Sequence, residues 1–332
     1  MDVFLGVDIG ASVVKLGLHR AGVGPIGTRH DFPSHAAVGP DATMQVVAEA
    51  LDGVISAAGV ARGELAAVGV CCPTPVNADG MSVYPTNIAA SWKGANVRDM
   101  VGQVVGLPSV LLNDGDAAAY REYDVRRRAG REGRCMVQFI TGTGLGGSII
   151  VEGRVWVGPL VAGELGHIVT DTGDEADRCG CGGIGCAETR ASLTGLAHLV
   201  RRRCHGNDVP EALRGDAKQG ARALRALAQQ AVVHPLVHQI WDEYFTHVGR
   251  AARNVANTLG PDLIVLSGGA QERETGAPAE AHARFLEHGR SVVLRELGGS
   301  FPHLSQTRVE WAVDELADSA WCGAAAYAER LV

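Results

Sequence analysis

No run of about 18 consecutive apolar residues occurs in this chain of 332 residues, so no membrane-spanning helix is indicated. A basic surplus is missing as well. The formal net charge is -7, which gives no global field to draw nucleic acid. The first ten residues, MDVFLGVDIG, lack the basic start and long apolar stretch of a secretory signal, and the cytoplasm is the expected compartment. There is no low-complexity tract. The Walker pattern is absent too, because no glycine-rich stretch is followed by Gly-Lys-Ser/Thr. What remains is ordinary globular material, 46% hydrophobic and 20% charged, long enough for one large domain or two average ones.

Two segments repeat a theme. VFLGVDIGASVVKLGLHR near the start and CMVQFITGTGLGGSIIVEG from Cys135 both read as strand, glycine turn, strand. Each opens a half of the chain. Between them lies the charge-rich DVRRRAGREGR, residues 124–134, which predicts a domain boundary near residue 123. TMQVVAEALDGVISAAG carries helical periodicity, LAAVGVCC and PDLIVLSGG read as buried strands, and DSAWCGAAAYAERL reads as a closing helix of small residues.

Five constellations carry chemistry. In DIGAS, Asp8 to Ser12, small residues let backbone amides approach a phosphate and an acid stands at a strand end; an ordinary hairpin explains the same residues. TGTGLGG, Thr141 to Gly147, has four glycines in seven residues and two threonine hydroxyls able to donate to an anion. Two such hairpins in one chain favour a paired phosphate clamp. In LLNDGDAAA, Asp114 follows a strand and precedes a helix, which suits a general base or, equally, a helix cap made by Asn113 or Asp114. The fourth is CGCGGIGCAE with the upstream GELGH. His167, Cys179, Cys181 and Cys186 form a closed three-sulfur, one-nitrogen set for structural zinc, whereas a disulfide leaves one thiol unpaired. The remaining cysteines, Cys71, Cys72, Cys135, Cys204 and Cys322, read as small buried hydrophobes. Finally, Glu164 and Glu188 flank that set; they suit polyol hydroxyls or are solvated loop acids.

In this order the segments GVDIGAS, LLNDGDAAA, TGTGLGG, GELGH, CGCGGIGCAE and GPDLIVLSGG resemble the ROK family (repressors, open reading frames and sugar kinases), over residues 5 to about 270. The resemblance implies an α/β, actin-like ATPase (ribonuclease H-like) fold of two domains with a cleft between them. Residues 1–122, completed by a C-terminal helix at 316–332, would form the sugar-side domain, and residues 123–315 the other. It implies transfer of the γ-phosphoryl group of ATP to a hexose hydroxyl such as the 6-OH of glucose. Asp114 would be the general base. Asn87, Asn113, Glu164, His167 and Glu188 would bind the sugar. Asp8, Gly10, Ala11, Ser12, Lys15, Thr141, Gly142, Thr143, Gly144, Gly268 and Gly269 would surround ATP, with Asp8 positioning Mg²⁺ through water. Zinc would be structural, and the assembly a homodimer or homotetramer, with no nucleic-acid or membrane partner.

Three departures from the family pattern stand out, the first on the ATP side and the other two on the substrate side. The first turn is Gly10-Ala11-Ser12 where the family usually has Gly-Gly-Thr, which is tolerable if Ala11 keeps a negative φ. Asn87 and Trp92 are farther apart than in the family's Asn-Leu-Pro-x-Trp stretch. Arg190 stands where a tyrosine is common and would add charge near the sugar if it points inward. An amino sugar or a C7-cyclitol of secondary metabolism is the alternative acceptor. A non-catalytic sugar-binding regulator is the alternative of another class; a repressor is disfavoured because no helix-turn-helix segment precedes the first turn here.

Overall fold

The computed structural model describes residues 2–85, 88–206, 208–298, 302–313 and 319–332. The chain divides into two compact units. The first comprises residues 1–132, 149–163 and 313–332, and the second residues 133–148 and 164–312.

In the first unit, β1 (Val3–Ile9) is buried along its whole length, as a central strand flanked on both edges should be. It pairs antiparallel with β2 (Val13–Arg20), which pairs antiparallel with β3 (Gly24–Pro33). On its other edge it pairs parallel with β4 (Leu65–Cys72), which pairs parallel with β5 (Ser109–Asn113). The order is β3-β2-β1-β4-β5. The helices α1 (Pro40–Ala57) and α2 (Val97–Val105) present Val47, Leu51, Val54, Val97 and Val101 to one core with Leu5, Val7 and Val70. On the opposite side α3 (Asp114–Arg128) packs on α8 (Ser319–Leu331), which lies against β1 and β4. That approach is close because glycines clear it: a Cβ at Gly69 would sit 1.8 Å from the Ala324 carbonyl oxygen, and one at Gly6 would sit 2.3 Å from that of Trp321. The small-residue sequence of α8 is thus matched by small residues in the strands beneath it.

The second unit holds β6 (Cys135–Thr141), β9 (Leu263–Gly268), β10 (Arg308–Trp311) and the first part of β7 (Leu145–Val151), ordered β10-β9-β6-β7, while the end of β7 and its partner β8 (Arg154–Val155) are counted with the first unit. β9 pairs parallel with both β6 and β10. Its helices are α4 (Leu193–Arg203), α5 (Ala217–Ala228), the long α6 (Pro235–Leu259) and α7 (Ala279–Gly298). Trp241 and Phe245 of α6 meet Phe285 of α7 edge-on and tilted, and Tyr244 packs edge-on against Trp241 and Phe245 in the same aromatic cluster. Among the described residues no helix is long and apolar enough to cross a membrane.

The division departs from a boundary at residue 123. Residue 123 lies inside α3, and the charges after it are paired rather than solvated. Asp124 is buried and accepts from Arg127 at 2.7 Å and Arg128 at 2.8 Å, while buried Glu122 accepts from Arg126 at 2.6 Å. The charge-rich stretch is therefore largely the paired end of a helix, and the first unit continues to residue 132 and takes back residues 149–163. At the C-terminus residues 319–332 are counted with the first unit as α8, whereas 316–318 lie outside the described residues.

Candidate functional site

In the first unit the site grows out of strand register. Asp8, near the end of β1, has Lys15 as its cross-strand partner on β2 and Cys71 as its partner on β4. Opposed residues on one face of a sheet bring their side chains together. Lys15 Nζ donates to Asp8 Oδ2 at 2.8 Å and the Cys71 thiol donates to Oδ1 at 3.6 Å. Burial pushes the Cys71 thiol well above its ordinary pKa, with the charges of Asp8 and Asp114 adding to it, so the sulfur stays a donor. Burial alone lowers Lys15, but its hydrogen bond and charge pairing with Asp8 outweigh that and raise it. Cys71 is thus more than a small hydrophobe: with Lys15 it donates to the Asp8 carboxylate. Cys72 and Cys322 are buried, while Cys135 and Cys204 are half-buried.

The first turn follows. Gly10 donates to Val13 O at 2.9 Å, and a Cβ at Gly10 would meet that oxygen at 2.8 Å. Ser34 ties the turn down, its Oγ donating to Ala11 O at 2.9 Å and its amide to Ser12 O at 3.0 Å. Ala11 is not among the residues of positive φ, so the side chain there is tolerated, and Ala11 and Ser12 are exposed.

At the end of β5, Asn113 caps α3: its Oδ1 accepts from the Gly115 amide at 2.8 Å while its Nδ2 donates to Thr74 O at 3.2 Å. Capping therefore falls to Asn113. Asp114 also accepts from the Gly115 amide, at 2.8 Å, yet keeps a side open to solvent. Burial by the protein packed around it raises the Asp114 carboxyl. The Gly115 amide opposes this, the Asp8 charge adds to it and Lys15 reduces it. Asn87 lies outside the described residues. Trp92 is fully buried and donates its Nε1 hydrogen to Ala36 O at 2.9 Å, which makes it a core residue.

In the second unit Thr141 knits two turns together. Its hydroxyl donates to Ser267 O at 2.8 Å and accepts from the Ala270 amide at 3.2 Å, and its carbonyl accepts from the Gly269 amide at 2.7 Å. A Cβ at Gly268, where φ is +92°, would meet Thr141 O at 2.0 Å. The Thr141 hydroxyl is consequently spent inside the protein, a correction to its expected role as a phosphate donor, whereas Thr143 is exposed. The turn Gly142-Thr143-Gly144 rests on the start of α4, with Leu193 N donating to Gly142 O at 2.9 Å and Thr194 Oγ1 to Thr143 O at 3.0 Å.

Gly144 makes room for Glu188. A Cβ there would stand 2.3 Å from Glu188 Oε2, the oxygen that accepts from the Leu145 amide at 3.0 Å. The other Glu188 oxygen lies 3.7 Å from Cys179 Sγ. One half-buried carboxylate thus joins the glycine turn to the cysteine loop.

That loop brings His167, Cys179, Cys181 and Cys186 together with all four ligand atoms within 4.8 Å of one another. A tetrahedral zinc with bonds of about 2.0–2.3 Å sets its ligand atoms ~3.5–3.8 Å apart. Cys179 Sγ stands 3.5 Å from His167 Nδ1, and Cys181 Sγ 3.6 Å from Cys186 Sγ, so the set fits such an ion. The backbone shapes the knuckle through Cys179 N to Gly183 O at 2.8 Å and Gly182 N to Cys179 O at 3.0 Å. Without a metal, burial raises the Cys186 thiol to about 12, while the Gly183 amide holds Cys181 below its ordinary value. His167 Nε2 faces Glu164, whose Oε2 is 3.8 Å away and whose side chain is exposed.

Arg190 points away from these groups. Its guanidinium is 2% exposed and bonds to Asp171 Oδ2 at 3.0 Å and Glu175 O at 2.7 Å. The expectation of a charge beside the sugar is overturned, because acids of the preceding loop and of α6 draw the side chain into the interior of its own unit.

Sequence reading missed a cavity of about 270 Å³ bounded by Thr141, Gly142, Leu196, Arg222, Trp241 and Gly269. Arg225 at its edge pins the Gly269 carbonyl and pairs with Glu274 at 2.5 Å and Glu272 at 2.6 Å. Thr141, Gly142, Thr143 and Gly269 of this wall stand in a motif; most of the rest comes from α4, α5 and α6, whose sequences look like any amphipathic helix.

The fold is that of the actin-like ATPases, two mixed sheets with helices, as in the solved ROK sugar kinases. The sequence profile of the ROK family matches residues 4–285, and the chain belongs to that family. It is 30% identical over 285 residues to a glucokinase of Streptomyces coelicolor, covering 81% of this chain and 82% of that one. An N-acetylmannosamine kinase of Salmonella newport is 29% identical over 240 residues, covering 69% and 75%. A ROK family glucokinase of Streptomyces griseus, solved in complex with glucose and AMPPNP, superimposes with a TM-score of 0.67 at 25% identity over 98% of each chain.

Proposed function

We propose that this chain is an ATP-dependent sugar kinase with Asp114 as general base. The observation that carries the reading is the division of labour after β5: Asn113 takes the cap, and the adjacent carboxylate keeps an open side and a raised pKa. A carboxylate whose pKa is raised above its ordinary value accepts a hydroxyl proton more readily. Phosphoryl transfer otherwise asks for alignment and charge neutralisation more than covalent chemistry.

The first unit supplies Asp114, with Asn113 and Asn87 for adjacent sugar hydroxyls. It also supplies the exposed Gly10-Ala11-Ser12 turn for phosphate, with Lys15 at its base. Asp8, held by Lys15 and Cys71, retains lone pairs for the water shell of Mg²⁺, which suits an outer-sphere contact better than a direct bond. The second unit supplies the Gly142-Thr143-Gly144 turn for phosphate, with Thr141 as the strut between that turn and Gly268-Gly269. The cavity beside Trp241 and Leu196 takes the adenosine. His167, Cys179, Cys181 and Cys186 hold zinc, a closed set whose contribution is structural. Glu164, His167 and Glu188 bind ring hydroxyls.

The acceptor is a hexose, with transfer to the 6-OH as the first expectation. A glucokinase and an N-acetylmannosamine kinase stand at nearly equal identity to this chain, so glucose and amino sugars are both in the class, and a cyclitol is the further alternative. The test is ADP release by the purified protein with ATP and Mg²⁺ over a panel of hexoses, N-acetylated hexosamines and cyclitols. One acceptor, with its phosphorylated position assigned by NMR, is the expected outcome. Release no faster than without acceptor across the panel would overturn the reading.

A further inference from the structure

The loop that carries the metal ligands is cross-linked twice, once by the four ligands and once by Arg190. The guanidinium, buried at 2% exposure, grips the stretch between His167 and Cys179 at three places. Its Nη2 donates to Asp171 Oδ2 at 3.0 Å and to Glu175 O at 2.7 Å, and its Nη1 lies 3.3 Å from Asp177 Oδ2. A fourth acid, Glu243 of α6, stands 3.9 Å from Nη1 and ties the cluster to the helical body of the unit. Around this centre Arg202 also binds Asp177, and Arg203 binds Glu243 at 3.0 Å.

The two aspartates in this grip are the residues whose backbones hold the far end of the loop. Gly185 donates to Asp177 O at 2.9 Å, and Asp171 donates to Gly185 O at 3.1 Å. Gly185 has no room to shift, since a Cβ there would stand 1.7 Å from Asp171 O. The next residue is Cys186, and Glu188 follows two positions later. A continuous set of bonds therefore runs from Arg190 through Asp171 and Asp177 to Gly185, and so to a metal ligand and to the carboxylate that reaches Leu145. A planar fork with several fixed donors suits such a hub, and a lysine cannot reproduce it. Removing the cation would take the shared counter-charge from half-buried Asp171, Asp177 and Glu243, with Arg202 left to Asp177 and Arg203 to Glu243.

We propose that Arg190 is a positioning residue that fixes the metal loop independently of the metal, and thereby sets His167 and Glu188 for the sugar. This rests on the zinc and sugar-kinase readings above. The test compares holo wild type with Arg190→Gln and Arg190→Lys. Zinc release to a chromogenic chelator is followed under native conditions, together with kcat and the KM of sugar and of ATP. Arg190→Gln is expected to release zinc at least tenfold faster and to raise the sugar KM by about 10–100-fold, the range for losing a group that orients a metal's ligands. The KM of ATP and kcat should change far less, and Arg190→Lys should recover only part of the loss. A folded Arg190→Gln protein with wild-type zinc release and sugar KM would overturn the proposal. If that variant fails to fold, Asp171→Asn, which removes one arm of the grip, should shift both quantities in the same direction, and wild-type values there would overturn it equally. Wild type devoid of zinc would overturn the metal reading and this proposal together. Zinc-loaded wild type beside an unaffected variant would overturn this proposal alone.

Discussion

The two sheets have the same plan and opposite furnishing. β3-β2-β1-β4-β5 in the first sheet has its counterpart in β8-β7-β6-β9-β10 of the second sheet, each with a glycine turn after its central strand. In the first unit the neighbours of that turn are ionisable: Asp8 and Lys15 bonded across β1 and β2, with Asp114 within their field. In the second the corresponding turn is built of backbone and hydroxyl groups, and its one carboxylate, Glu188, arrives from the cysteine loop. One plan can thus carry ionisable neighbours in one copy and backbone and hydroxyl groups in the other, because the plan fixes the turn and leaves its neighbours to be chosen.

The largest effect that would break this contrast comes from the loop. Cys179→Ser removes a metal ligand and the thiol beside Glu188. Zinc content should fall to zero by elemental analysis and the sugar KM should rise ~100-fold, the upper end of the range for disturbing a metal site. Next comes Gly144→Ala, whose methyl would occupy the place of Glu188 Oε2. Losing a charge-assisted hydrogen bond of about 1.5 kcal/mol or more corresponds to roughly a tenfold rise in sugar KM, with zinc retained.

A finer test concerns pH. Lys15 lowers the Asp114 pKa and Asp8 raises it. Lys15→Met should therefore move the acid limb of kcat/KM to higher pH, and Asp8→Asn should move it to lower pH; shifts of the same sign would refute the field assigned to the first turn. The last effect, on stability, needs no ligand to observe. Burial, with the charges of Arg250 and Arg190, lowers His247 to about 4. A depressed folded pKa gives stability that is full above the unfolded value of about 6.5 and is lost as pH falls toward 4, at most ~1.4 kcal/mol per pH unit. Chemical denaturation between pH 7 and 4 should show this slope, and His247→Gln should flatten it.

Part of what the structure brings together could be read from spacing. The cluster of His167, Cys179, Cys181 and Cys186 and the Asn113 cap beside Asp114 are local patterns, and local patterns survive without knowledge of tertiary contacts. Even Cys71 was accessible in principle, since it follows from aligning β1 with β4. Arg190 was not, because its direction is decided by Asp171, Asp177 and Glu243, and none of those contacts leaves a mark in the sequence around it. The role of Gly144 is of the same kind: a glycine in a turn advertises backbone freedom, whereas here it clears space for a residue far along the chain. The compact first unit runs past the expected boundary at residue 123 to residue 132 for a related reason, since unpaired and internally paired charges look alike until their partners are known.

The central claim is that Asp114 accepts the proton of the attacking hydroxyl, and Asp114→Asn tests it most directly. With sugar binding measured by calorimetry and turnover by ADP release, the account predicts a loss of about 10²–10⁴-fold in kcat, with sugar affinity within a few-fold of wild type. Turnover equal to wild type in a variant that still binds sugar would contradict it.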